Sequence, residues 1–468
     1  MRPFSVKKSP DTKKIPLKQL LTVESALGKI TLLSLALPLL AENLATHLLS
    51  TVNTAVLGGY SPISVGAIGG ATPIINIINL LNLATSTGAI ILLGNMFGRG
   101  DKKGIRDISR TALLMNFFIG LFVSAVAFVL APRIMTAMNL KGQMYEESII
   151  YFRIRMMGFV ISSVSVVLLA ILRCYGYTRG TVISGLTTNV VNLVLNIFVI
   201  KNPDRISIQM ISAIAICALV GQICGVATSV GYMLIKKIKI SFVCSIKEFF
   251  TQAGTILKFG FPSMISSGTF TVVSAITSSF AALIGDTAMT AKVFFTSILC
   301  YGYVFSSAIG NANTIMVGRL CGMGEYSRAN LLNKTLIRFT CVLNGLVSLS
   351  IVLLYMPILS CYTEDPSIIA MALPIFIVDI IAEQARAVSQ VYEYGLKATG
   401  DVYLDMIVTS ISGVVLGVGL SYLLAIKLDM GLFGLYAATA ADEVVRTVFS
   451  VWRWKSGAWK KYLCKKKS

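Results

Sequence analysis

The chain of 468 residues is 55% apolar and only 13% charged, with a mean hydropathy of +0.78. A soluble protein of this length carries about twice that charge, so a water-soluble fold is excluded and lipid is the expected solvent. The net charge of +20 does not point to nucleic acid, because the basic residues lie in the tails and between apolar runs, where no soluble basic domain could hold a duplex.

Residues 1–28 carry Lys7, Lys8, Lys13, Lys14 and Lys18 and read as a basic tail lying on an anionic leaflet. The first apolar run is too long for the core of a cleavable signal, so it is expected to stay as the first helix. Beyond it the apolar runs are long enough to cross a hydrocarbon layer of roughly 30 Å, and they lack the period-2 alternation of a barrel. Twelve spans are expected, at 29–57, 63–94, 109–135, 148–174, 178–201, 208–236, 255–284, 288–320, 336–362, 367–397, 402–427 and 432–453. The even-numbered connections are basic, carrying for example Arg99, Lys102, Lys103 and Arg106, then Lys236, Lys237 and Lys239. The odd ones are poor in Lys and Arg, as at 58–64 and 362–366; Arg153 and Arg155 near the third are offset by Glu146 and Glu147. Lys and Arg are retained on the cytoplasmic side, so both termini are expected there.

The fold class expected is an all-α polytopic membrane protein of twelve transmembrane helices in two six-helix lobes related by a parallel repeat. The lobes are placed at 29–236 and 255–453, with a lysine-rich cytoplasmic linker at 237–254 and a second basic tail at 454–468. The repeat is written in the sequence. Gly94-Asn-Met-Phe-Gly98-Arg-Gly100-Asp101 recurs 224 positions later as Gly318-Arg-Leu-Cys-Gly322-Met-Gly324-Glu325. The same offset relates Pro38 to Pro262, Ala67 to Ala291, Leu172-Arg173 to Leu396-Lys397 and Gly176 to Gly400. One unbroken offset across separate landmarks implies two halves with one plan. An even number of helices per half gives both halves the same polarity, as in parallel-repeat transporters, and the crevice between such lobes is where carriers bind substrate.

A charge at the bilayer centre costs about 2.5–3.5 kcal/mol on insertion scales, so each one present is paired or functional. Glu42 lies in the first span, and Asn53, eleven residues on, falls about 20° around the helix on the same face. His47, the sole histidine, points elsewhere and is read as a packed residue in preference to a proton relay. Asn192 and Asn196 form an i,i+4 pair in the fifth span, suited either to interhelical hydrogen bonding or to a polar cavity wall. In the tenth span Asp379 and Glu383 are also four apart; Arg386 follows Glu383 closely enough to make that glutamate structural, which leaves Asp379 as the better cation or proton site. Asp442 and Glu443 with Arg446 are ambiguous in the same way, and Glu393 with Lys397 reads as a pair near the cytoplasmic end. Pro38, Pro262 and Pro374 fall inside spans and bend them. The nine cysteines are scattered, without metal or redox spacing, and read as small buried apolar residues.

These residues resemble the multidrug and toxic compound extrusion (MATE) family of the flippase-like superfamily over positions 29–453. The resemblance rests on Pro38-x14-Asn53-Thr-x3-Gly58, the Gly-x3-Gly-x-Gly-acid loops at 94 and 318, Leu172-Arg173-x-x-Gly176 and the Asn192–Asn196 stretch. It implies a two-lobed exporter that moves amphipathic, cationic organic compounds outward in exchange for protons or sodium ions. It also implies aspartates where Asn53 and Asn196 stand. An amide cannot take up or release a proton, so Glu42 would have to supply the first-lobe carboxylate, or coupling would lie with Asp379 and Glu383 in the second lobe. The site residues expected are therefore Asp379, Glu383 and Glu42 for ion coupling and Asn53, Asn192 and Asn196 for the substrate cavity.

The expected activity is cation-coupled efflux of small molecules by a single chain in a bacterial plasma membrane, with no cofactor besides the coupling proton or sodium ion, no nucleic acid and no partner beyond substrate and lipid. The alternative is a flippase for a lipid-linked sugar or other envelope precursor, which would need a cavity richer in Arg and Lys; only Arg386 and Arg446 are read as deep. A major facilitator fold fits the glycine triplet poorly, an ATP-driven pump would need a GxxxxGK[ST] loop that is not present, and no nucleophile or metal spacing supports an enzyme.

Overall fold

In hydrocarbon every backbone N–H and C=O must be satisfied within the chain, so apolar runs become helices. The structure, a computed structural model, describes residues 16–58, 62–138, 141–202, 209–238, 240 and 245–462. The side chains of His47, Ser50 and 51–65 lie outside that description, so the expectations for His47 and Asn53 fall outside the described residues, although both positions are helical.

The order begins with α1 (Leu17–Leu20), β1 (Thr22–Ser25) and β2 (Gly28–Thr31). Then come α2 (Leu32–Gly58), α3 (Pro62–Arg99), α4 (Lys102–Ala137), α5 (Gly142–Met157), α6 (Phe159–Tyr175), α7 (Thr178–Lys201) and α8 (Met210–Ile235). The chain continues through α9 (Ile246–Ile284), α10 (Asp286–Met323), α11 (Tyr326–Leu353), α12 (Tyr355–Ser360), α13 (Pro366–Thr399), α14 (Tyr403–Ser412) and α15 (Gly431–Lys455). Between α14 and α15 the helix widens into π turns over Gly413–Leu420 and Leu423–Lys427. Among the described residues nine helices are long and apolar enough to cross a bilayer, ten if α5 and α6, bent by 45° at Gly158, form one span. Helices α2 and α15 complete the twelve; the charges of α15 that break its apolar run are held in ion pairs inside the protein.

Each expected span thus has its helix, and the ends differ where polar ends carry a helix beyond its apolar run; the first span, expected from 29, starts at Leu32 because 29–31 pair in β2. The stretch 237–254 read as linker is helical from Ile246, where α9 begins. The stretch 1–28 read as tail is folded over its described end. Val23 and Ile30 face each other across an antiparallel hairpin and are both buried. Arg328 donates to the Gln19 and Thr22 carbonyls, and Arg319 to that of Gly28. This hairpin is the one β element among the described residues of an otherwise helical chain.

The glycines of the repeat have two jobs. Gly100, Gly324, Gly176 and Gly400 adopt φ of 72°, 81°, 84° and 83° and close α3, α10, α6 and α13 in the left-handed region. In each, the next amide reaches back to a carbonyl five residues earlier, as from Asp101 to Met96 and from Glu325 to Leu320. The remaining glycines permit a close crossing: Gly94 lies against Gly318, and a Cβ on Gly98 would meet the Arg319 carbonyl oxygen and the Gly322 Cα. Gly98→Ala is therefore expected to cost about 1–3 kcal/mol through overpacking. A thermal melt in detergent reads it, and an unchanged Tm would show that the crossing yields.

The chain divides into two compact units. The amino unit comprises Leu37–Leu93 and Lys102–Met264; the carboxyl unit takes in the described residues up to Ala36, Gly94–Asp101 and Ile265 onward. In the amino unit α3 and α9 cross through Gly88 and Gly260, each backed by a carbonyl of the other helix, Ile256 and Ala84 respectively. Helices α7 and α8 pair through Ser184, Ser229 and the Gly225 carbonyl, with hydrogen bonds of 2.8 Å. The carboxyl unit has an apolar core of Phe295, Ile298, Ile375, Phe376, Leu432 and Leu435. Phe295 and Phe376 meet edge to face at 5.2 Å. Asp365 caps α13 by accepting from the Ser367 amide, and hydrogen bonding to the Ser367 side chain and then to that amide holds its carboxyl below the ordinary range.

Candidate functional site

The carboxyl unit encloses a cavity of about 350 Å³ walled by α9, α10, α13, α14 and α15. The π turn that follows α14 forms part of its wall. Gly413 and Gly417 line it, and a Cβ on Gly417 would run into Val273 of α9. Wide turns of this kind recur at functional sites because they free backbone from the regular ladder. Phe270, Tyr303 and Tyr436 supply aromatic surface, and Thr277, Thr296 and Thr439 supply hydroxyls. Three carboxylates, Asp379, Asp442 and Glu443, line it together with three cations, Lys292, Arg386 and Arg446.

Most of those charges belong to one network. Arg386 of α13 pairs with Glu383 a turn earlier and, at 3.0 Å, with Glu443 of α15. Arg446 lies 3.5 Å from Glu393, 3.6 Å from Glu443 and 3.9 Å from Asp442. Glu383, 1% exposed, also accepts from the Asn344 amide at 3.3 Å. Buried ions are tolerated when each finds such partners, and removal of one strands the others. Asp379 stands apart. It is 8% exposed, lines the cavity and makes no hydrogen bond or ion pair with a described residue.

The structure thus brings Asp379 and Glu383 to one place and gives them different surroundings. The i,i+4 spacing of Glu393 and Lys397 is not used as a pair: Glu393 turns to Arg446, and Lys397 lies 3.2 Å from Asp405 of α14. Glu42, Asn192 and Asn196 lie in the amino unit. Arg173 at the end of α6 donates to Glu42 at 2.8 Å, and Thr181 of α7 donates to its other oxygen at 3.3 Å. Asn196 donates to Asn192 at 3.0 Å, and the Asn192 Cβ faces Gly221 of α8. Lys292 escaped the sequence reading. A lysine six residues inside a largely apolar helix was the available signal, and it sits on the cavity wall with no carboxylate in ion-pair reach among the described residues.

The MatE family model matches residues 38–198 and again 262–423. The two matched segments start 224 positions apart (262 − 38), which is the offset of the glycine loops. An uncharacterized transporter, YisQ of Bacillus subtilis, is 26% identical over 452 residues, covering 95% of this chain and 99% of the relative. A probable multidrug resistance protein, NorM of Thermotoga maritima, is 24% identical over 432 residues, covering 92% and 93%. Among solved structures, the outward-facing conformation of a multidrug resistance MATE family transporter of the MOP superfamily superposes with a TM-score of 0.82 at 19% identity, covering 92% of this chain and 96% of that one.

Proposed function

The chain belongs to the MatE family, and from that premise we propose that it exports small amphipathic organic cations in exchange for protons or sodium ions, with the carboxyl-unit cavity as substrate site and Asp379 as the coupling carboxylate. The observation that carries this is a contrast between neighbouring carboxylates: Glu383 and Glu443 each lie against Arg386, while Asp379, which lines the cavity, has no cation in ion-pair reach among the described residues. A carboxylate poorly reached by water needs a counter-charge. A proton, a sodium ion or the ammonium group of a substrate would each serve, but only one at a time, and mutual exclusion at one carboxylate is the elementary requirement of antiport. Phe270, Tyr303 and Tyr436 would take the apolar body of the substrate, and aromatic faces attract cations further.

The relatives described as multidrug resistance proteins support this reading over a flippase. The lysine-rich even connections support cytoplasmic termini, and the chain would work singly in a bacterial plasma membrane. The direct test is competition. A fluorescent cationic dye bound to the purified protein should be displaced by sodium ions or by acid, and Asp379→Asn should remove that displacement; dye binding indifferent to both ions would overturn the reading.

Glu42 takes a structural part in this account, tying α2 to α6 and α7 through Arg173 and Thr181. Glu42→Gln is expected to lower stability by roughly 1–3 kcal/mol while leaving dye efflux per folded molecule within about twofold. A folded Glu42→Gln protein that no longer couples efflux would move the ion site to the amino unit.

A further inference from the structure

Among the described residues, Lys292 is the one cation on the cavity wall that lies outside the ion-pair network. Its Nζ donates to Thr277 Oγ1 at 3.0 Å and to Ser278 Oγ at 3.1 Å, both on α9. An ammonium group has three N–H donors, so the two hydroxyls orient it and leave one donor and the whole charge uncompensated. Lys292 is six residues into α10 and Asp379 thirteen into α13. These helices begin at connections on the same side of the bundle, the seventh and the ninth. At 1.5 Å per residue the two groups sit at depths of about 9 Å and about 20 Å, and so differ by about 10 Å along the cavity. The guanidiniums of Arg386 and Arg446 are engaged by carboxylates, so an anion entering the cavity would find Lys292 as its open partner.

We propose that Lys292, with Thr277 and Ser278, is an anion-binding subsite, and that the preferred substrates of this protein carry a carboxylate held there as well as an ammonium group held at Asp379. The inference rests on the substrate site proposed above and adds the second charge to it. Alone, a cationic drug would leave the Lys292 charge without a counter-ion beside it. A substrate with both charges, separated by roughly the spacing of the two groups, satisfies both at once. Charge-assisted hydrogen bonds are the strong ones, and the planar carboxylate can take the free N–H.

The test uses the full chain in nanodiscs and two probes on one fluorescent aromatic scaffold that bears an alkylammonium group, one a free carboxylic acid and the other its methyl ester. Wild type is expected to bind the acid about tenfold more tightly than the ester. Lys292→Met should abolish that preference by weakening the acid tenfold while leaving the ester within twofold, and Lys292→Arg should restore most of it. If wild type binds both probes with equal affinity, or if Lys292→Met weakens both alike, the anion subsite is refuted while the cation site stands. If wild type binds neither probe, the substrate site itself fails and the subsite with it. Measuring the ester in the same Lys292→Met preparation separates lost folding from lost recognition.

Discussion

Asp379→Asn is expected to abolish ion-driven efflux, reducing it at least a hundredfold in cells that express the folded protein, while the variant folds as wild type does. The amide is nearly isosteric and the carboxylate it replaces has no hydrogen-bond or ion-pair partner among the described residues, so no structural bond is lost. What disappears is the site at which substrate and ion exclude one another. An amide neither protonates nor balances a buried cation. The measurement is loss of a fluorescent cationic dye from loaded cells, normalised to protein in the membrane; unchanged efflux would remove Asp379 from the mechanism.

Arg386→Met is expected to have the largest effect on folding, about 3–5 kcal/mol, because it leaves two carboxylates, Glu383 and Glu443, buried without their shared cation. Arg446 reaches Glu443 at 3.6 Å and can compensate in part, whereas among the described residues Glu383 is left with the Asn344 amide. Neutralising the stranded group should therefore rescue: Arg386→Met with Glu383→Gln is expected to recover much of the loss. A double-mutant cycle on melting temperature reads the coupling. Strict additivity of the two substitutions would show that the pair does not act as a unit.

The sequence made legible whatever depends on neighbours along the chain. Lipid forces each long apolar run into a helix, so each span could be placed on its helix, although polar ends start α4, α9 and α11 seven to ten residues earlier than the apolar run. The glycine loops could be read because a helix stop and a close crossing both need a residue without a side chain, and Gly98 and Gly322 were marked by recurring at one offset. The different surroundings of Asp379 and Glu383 were visible as well, since Arg386 lies one turn from Glu383 on the same helix.

What could not be read depends on how helices cross. Glu393 and Lys397 are neighbours on α13, yet the structure gives each a partner on another helix, Arg446 and Asp405. Same-helix spacing proposes a pair, and a more closely presented partner across the crossing displaces it. Lys292 was passed over because one lysine barely alters the hydropathy of a long run, and its significance lies in the cavity it faces. The hairpin at 22–31 was hidden by its length: four-residue strands give too little alternation to register, although Val23 and Ile30 flanking Gly28 carried the pattern. At Asn192 and Asn196, spacing alone left packing and cavity lining open, and it did not show that Asn192 lies against Gly221 of α8.

Flux across a membrane of known composition tests the central claim most directly. Wild-type protein in liposomes, loaded with a cationic dye and given an imposed proton or sodium gradient, should move the dye against the flow of at least one of these ions. That movement should stop when an ionophore collapses the gradient. Dye flux that runs equally fast with and without both gradients would contradict an ion-coupled exporter.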